Sequence, residues 1–224
     1  ISAPLEAAPL VRRLAIHAYR VGAGVVTPLY TDPQVVLARY ENATSESFEK
    51  TTEWLFEGMA VAFDNNTARL AIVGEDPLLL SGQDPENVSR ANKAVSKASS
   101  SIRERITRFD VNWNIIAWPG MMWAKRIFPH MSEDEAQIAL ANAIFKASRV
   151  TNSDPMKAWN IHNADLRQRT EWLNKKNFSA LHFYGEGTDL TVGLADEHEW
   201  MGGASLARNG VMCNPNIPSE EVFT

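Results

Sequence analysis

Apolar residues alternate between two rhythms over most of the chain. Ile1 reads as the end of a strand. Between Leu5 and Tyr19, Leu10, Leu14, Ala15 and Ala18 fall at helical spacing, and Gly22 follows as a stop. Val25 to Tyr30 is a short strand-type run, broken by Thr31-Asp32-Pro33, which opens a helix through Tyr40. Thr51 to Phe63 predicts a helix with Trp54, Leu55, Met59 and Ala62 on its apolar side. Leu70 to Val73 is a compact buried strand closed by Gly74-Glu75-Asp76-Pro77. Asp84-Pro85 opens a long polar helix, because Asp caps well and Pro suits the first turn. Asn112 to Trp118 is the next strand, ended by Pro119-Gly120. Ser132-Glu133-Asp134-Glu135 has capping-box form and starts a helix to about Ala147. Asp154-Pro155 starts another, to about Lys176.

Strands alternating with helices predict βαβ units, so the expected fold class is α/β, a parallel-rich sheet with flanking helices. The rhythm changes at Phe178. Phe178 to Phe183 and Thr188 to Leu194 are strand-type runs separated only by Tyr184-Gly185-Glu186-Gly187, which predicts a hairpin. Gly202-Gly203, Asn209-Gly210 and Pro215-Asn216 supply turns. A boundary near Asn177 follows: an α/β domain over residues 1–176, then the start of a β-rich domain over 177–224. The final Glu220-Glu221-Val222-Phe223-Thr224 reads as the opening of a strand, so the chain is expected to be part of a longer one.

Composition narrows the function classes. The 224 residues are 45% hydrophobic and 22% charged, with a formal net charge of −5. A mildly acidic chain carries no broad footprint for nucleic acid or anionic membrane. No apolar run approaches the roughly 18 residues of a membrane span. The one cysteine, Cys213, rules out a disulfide within the chain and reads as an inert thiol.

Familiar chemical signatures are absent. The sequence has no G-x-x-x-x-G-K-[ST] phosphate loop, no G-x-G-x-x-G turn, no H-E-x-x-H and no G-x-S-x-G elbow. His17, His130 and His162 read as ordinary packed or surface residues, and His182 alternates with Leu181 and Phe183 in a strand. The densest stretch is Asp196-Glu197-His198-Glu199-Trp200-Met201-Gly202-Gly203. Its ordinary reading is a solvated turn, and its functional reading is a substrate-contacting rim built from His198 and Trp200. Glu220 and Glu221 follow Pro218-Ser219; in a strand they point to opposite faces, so only one enters any site.

Several stretches match a known family. They are Ser2-Ala3-Pro4-Leu5-Glu6-Ala7, Trp54-Leu55-Phe56-Glu57-Gly58-Met59-Ala60, Ala71-Ile72-Val73-Gly74-Glu75-Asp76-Pro77 and Ala143-Ile144-Phe145-Lys146-Ala147. The longest run is Leu181 to Leu194, followed by Trp200-Met201-Gly202-Gly203-Ala204-Ser205 and Asn216 to Thr224. On these, nearly the whole chain resembles the thermophilic-type metallo-aminopeptidases, the group of aminopeptidases T, S and PepS. The resemblance implies a cytoplasmic homodimer that removes N-terminal amino acids from peptides. It implies two divalent metal ions, zinc, cobalt or manganese, that share a water and polarise the scissile carbonyl. It places a metal-binding Glu in the segment Pro218 to Thr224, carried here onto Glu221, with Glu220 as the second choice. The family's other ligands (a Glu, two His and an Asp) fall beyond Thr224, so this chain alone is expected to be inactive. The alternatives are a non-catalytic α/β binding or assembly domain, and a doubly wound domain holding a small ligand at its strand ends.

Overall fold

A computed structural model describes residues 1–224. The chain begins with β1 (Ser2–Pro4), α1 (Ala8–Arg20), β2 (Leu29–Thr31), α2 (Pro33–Asn42), α3 (Glu53–Asp64) and β3 (Arg69–Val73). Next come α4 (Pro85–Ala98), α5 (Ser100–Thr107), β4 (Trp113–Ala117), α6 (Met121–Ile127), α7 (Glu133–Ala147) and α8 (Pro155–Lys176). The rest is strand and turn: β5 (Ala180–Gly185), β6 (Thr188–Gly193), β7 (Ser205–Leu206), β8 (Met212–Cys213) and β9 (Asn216–Ile217).

The main sheet is parallel, in the order β2-β1-β3-β4-β9, and helices flank it, as an α/β fold requires. β3 and β4 run side by side from the Arg69–Trp113 pair to the Val73–Ala117 pair. Ala3, Ala7, Val11 and Ile72 form the core under α1, backed by Leu10, Leu14 and Leu70. A second cluster joins α3 to α5 through Ala60, Phe63, Ile102 and Val111. A third joins α6 to α7 through Ala124, Ala136 and Leu140. Burying a side chain the size of Phe63 stabilises by about 1.5–3 kcal/mol.

Local signals set most element ends. Asp32, Asp84 and Asp154 each accept a backbone N–H at a helix start, with Pro in the first turn. Ser132 and Glu135 form the reciprocal capping box. α8 ends on Asn177, whose φ of 46° is the left-handed conformation that stops a helix.

Three expectations change in detail. The second strand starts later, at Leu29, and Val25 is exposed. The long polar helix breaks at Ser99 into α4 and α5. There a serine-rich stretch competes for backbone groups, and Arg103 donates to Ser99 Oγ and to Ser96 O. In α3 the buried stripe is Phe56, Met59, Ala60 and Phe63, while Trp54 is exposed. That helix is apolar on several sides, so periodicity alone left its inward face ambiguous.

The chain after Asn177 forms the expected antiparallel hairpin, β5 with β6. It then folds back: β9 adds to the main sheet beside β4, through the pairs Ile115–Asn216 and Ile116–Ile217. No helix is long and apolar enough to cross a membrane.

Candidate functional site

Helix α8 carries the returning segment. Its Asn174 brackets Trp200, accepting from Trp200 N at 2.7 Å and donating to Trp200 O at 3.1 Å. About two turns from its start, Asn163 accepts from Ala204 N at 3.1 Å and exchanges two amide hydrogen bonds with Asn214. Asn214 O in turn accepts from Asn114 of β4. These amides supply partners for loop backbone that has no sheet to pair with.

Two glycines allow the close approach. Gly203 has φ of +72°, and a Cβ there would lie 3.0 Å from Asn163 Oδ1. A Cβ on Gly202 would lie 3.0 Å from Glu221 O. Met201 and Phe223 close the turn, each donating its N–H to the other's carbonyl, at 2.7 and 2.8 Å. The turn at residues 198–203 is therefore fastened directly to the Glu220–Glu221 segment.

Trp200 is buried, with His198 edge-on to it at 6.2 Å. His198 Nδ1 meets Ala195 O at 2.9 Å, while His198 Nε2 and Trp200 Nε1 are buried without a hydrogen-bond partner. Glu197, just before, holds φ of 58°.

Residues 219–223 are not a strand; only the single bridge at Phe223 is β-like. Strand alternation therefore does not separate Glu220 from Glu221. A different contact does. Arg149, past the end of α7, grips Glu220 with both terminal guanidinium nitrogens, Nη1 at 2.6 Å from Oε1 and Nη2 at 3.0 Å from Oε2. That hydrogen bonding holds the Glu220 carboxyl below the usual carboxylate range, and Glu220 in turn raises Arg149. Glu221 is exposed, and its Oε2 accepts from the Glu220 N–H at 3.0 Å. No cation in the chain pairs with it.

Behind this pair, His162 on α8 lies between Arg149 Nη2 (3.1 Å from Nδ1) and the carbonyl of buried Ser219. Neither Arg149 nor His162 carries a sequence signal that singles it out. Both lie in helices or helix ends far from Glu220 in sequence, and only the fold brings them together. A mostly apolar cleft is lined by Gln168, Arg169, Trp172 and Leu173 of α8 and by Val222, the residue after Glu221.

At the other expected location, the carboxyl ends of the main strands, the segments that leave β3 and β4 pack directly against each other. A Cβ on Gly120 would lie 1.8 Å from Gly74 O, and Glu6 Oε2 accepts from Met121 N there at 3.3 Å. The other prominent cleft lies along α4, lined by residues such as Leu80, Pro85 and Ser89.

No group of three or more His, Cys, Asp or Glu side chains converges closely enough to hold a metal ion. An ion takes about three or four protein ligands. Residues 1–224 by themselves therefore do not complete a metal centre, although the exposed Glu221 has the chemistry of one ligand.

The chain is similar throughout its length to known proteins. It is 47% identical over 223 residues to aminopeptidase T of Thermus thermophilus, and 36% identical over 224 residues to aminopeptidase AmpS of Bacillus subtilis. It covers 55% of each, so it spans about half the length of the curated relatives it matches. The solved structure of wild-type AmpT from Thermus thermophilus superposes with a TM-score of 0.91 at 45% identity, over 99% of this chain and 54% of that one. The sequence profile described as thermophilic metalloprotease (M29) matches residues 1–224, and the chain belongs to that family.

Proposed function

We propose that this chain carries the scaffold and one metal ligand of a metal-dependent aminopeptidase that removes N-terminal amino acids from peptides. Family membership supports the reading, together with similarity to proteins named aminopeptidase. The observation that carries it is the free carboxylate of Glu221. It is exposed, one residue before the Val222 that lines an apolar cleft, while its neighbour Glu220 is tied to Arg149.

In this reading Glu221 is a first ligand of two divalent ions, zinc, cobalt or manganese, and the other ligands lie outside residues 1–224. When bound, such ions lower the pKa of a water and polarise the scissile carbonyl. Glu220 stays outside the metal shell. His198 and Trp200 border the substrate cleft, Trp200 supporting the turn from beneath rather than meeting solvent. The division at Asn177 is retained: residues 1–176 form the α/β scaffold and 177–224 begin the metal domain. The left-handed Asn177 and the antiparallel hairpin that follows it support that division, while β9 returns from the second part to pair parallel with β4 of the scaffold. The working protein is a cytoplasmic homodimer, as the family resemblance implies.

The test is amino-acid release from a dipeptide by the full-length protein, before and after chelation and after adding back zinc, cobalt or manganese. The reading expects loss on chelation and recovery on addition. Turnover that survives complete metal removal overturns it.

A further inference from the structure

Arg149 separates two adjacent carboxylates that would otherwise be equivalent donors. It sits with φ of 61°, a conformation uncommon outside glycine, just past the last turn of α7. Its guanidinium holds Glu220 in a two-pronged grip, at 2.6 and 3.0 Å. The same group lies 5.3 Å from the centre of the Trp159 ring and donates to Ala147 O at 3.2 Å. Trp159 is itself fixed by donating to Ser148 O at 2.9 Å.

His162 completes the arrangement. A guanidinium can only donate, so His162 Nδ1, 3.1 Å from Arg149 Nη2, is the acceptor. The proton is then on Nε2, which donates to Ser219 O. One side chain thus fixes the carboxylate of Glu220 and, through His162, the carbonyl before it. The Arg149 side chain is 21% exposed and that of Glu220 56%, so the pair is sheltered on the arginine side only.

We propose that Arg149, with His162 behind it, is a positioning residue for Glu221: it keeps Glu220 from competing for the metal and fixes the backbone from which Glu221 projects. This rests on the reading of Glu221 as a ligand. An Arg-held carboxylate next to a ligand leaves one free oxygen donor where the sequence offers two. Loss of the clamp releases a second carboxylate one residue away, and that carboxylate intrudes on the ion.

The experiment uses the full-length protein with cobalt as the probe. Affinity is read by competition with a chromophoric chelator, coordination by the cobalt absorption spectrum, and folding by the thermal midpoint of the metal-free form. Arg149→Met is expected to weaken cobalt binding by about tenfold and to alter the spectrum. The double variant Arg149→Met with Glu220→Gln is expected to regain the wild-type spectrum, because the intruding carboxylate is gone. A merely structural role for Arg149 would lower the midpoint without that spectral rescue. Should Arg149→Met not fold, Arg149→Lys, which keeps the charge and loses the fork, is expected to shift the spectrum in the same direction. An unchanged spectrum and affinity in the folded Arg149 variant, with Glu221→Gln losing metal, overturns the clamp and leaves the ligand reading standing. A spectrum that stays altered in the double variant overturns the competition with Glu220. Wild-type metal affinity in Glu221→Gln overturns the ligand reading itself, and the clamp with it.

Discussion

The strand pair β3–β4 and the hairpin β5–β6 are built from similar apolar residues and end in opposite environments. In β3, Ala71 and Ile72 are both buried, Ile72 in the cluster under α1. In the hairpin, Leu181 pairs with Val192 and Phe183 with Leu190, so these four share one face. Three of them, Phe183, Leu190 and Val192, are 41–53% exposed. The opposite face is polar, with His182 across from Thr191 and 2.7 Å from Asp189. The first pair packs one face under α1, through Leu70, Ile72 and Ile116. The second is an amphipathic ribbon whose apolar face nothing in residues 1–224 covers. Apolar content predicts that a face seeks cover; the order of elements decides whether this stretch of chain supplies it.

Substitutions at matched positions sharpen that contrast. Phe63→Ala, in the cluster between α3 and α5, is expected to cost about 3–5 kcal/mol. Leu190→Ala in this chain is expected to stay within about 0.5 kcal/mol, since Leu190 is 53% exposed. Denaturant midpoints for both check this. A cost of about 2–5 kcal/mol for Leu190→Ala in a longer protein would mean that the ribbon's face is covered there.

Glycines give the next contrast. Gly120→Ala drives a methyl group to 1.8 Å from Gly74 O, backbone that cannot step aside, and is expected to cost about 3 kcal/mol or more. Gly185→Ala in the hairpin meets nothing within 4 Å and is expected to be nearly neutral. Thermal melting of the two variants is the measurement, and equal shifts would break the comparison.

Smaller effects test the local signals. Ser132→Ala removes the capping box of α7 and is expected to cost about 1 kcal/mol by chemical denaturation. Hydrogen bonding from Arg105 holds the Asp64 carboxyl below its usual range, with the guanidinium at 2.7 and 2.8 Å. A carboxyl depressed in the folded state adds stability above its unfolded value and loses it as pH falls through the folded one. The midpoint difference between the wild-type chain and Asp64→Asn is therefore expected to shrink on acidification below the ordinary aspartate range. A difference that grows there contradicts the pairing.

The scaffold was legible because its signals are local. Asp-Pro and Ser-x-x-Glu mark helix starts in the sequence itself, and the short apolar runs of β3 and β4 have strand length and strand residues. The hairpin was legible for the same reason, down to His182 facing away from Leu181 and Phe183. The break at Ser99 and the inward face of α3 were not, because each depends on which neighbour packs there. At the candidate site the sequence marked the Glu pair and the Gly202–Gly203 turn, but it supplied the wrong reason for choosing between Glu220 and Glu221. Alternation along a strand has no role in a segment that is not a strand. What sets the two carboxylates apart is Arg149, 71 residues before Glu220, with His162 behind it, and no motif records the position of either.

The central claim is that one carboxylate of this pair binds metal and the other is held away from it. Titration of the metal-free full-length protein with zinc or cobalt, followed by calorimetry, measures this directly in Glu221→Gln and Glu220→Gln. Glu221→Gln is expected to lose affinity by about 100-fold or more, at the top of the range for losing a group that shapes a metal site. Glu220→Gln, which can still accept from Arg149, is expected to lose far less. Equal losses, or loss confined to Glu220→Gln, would contradict the account.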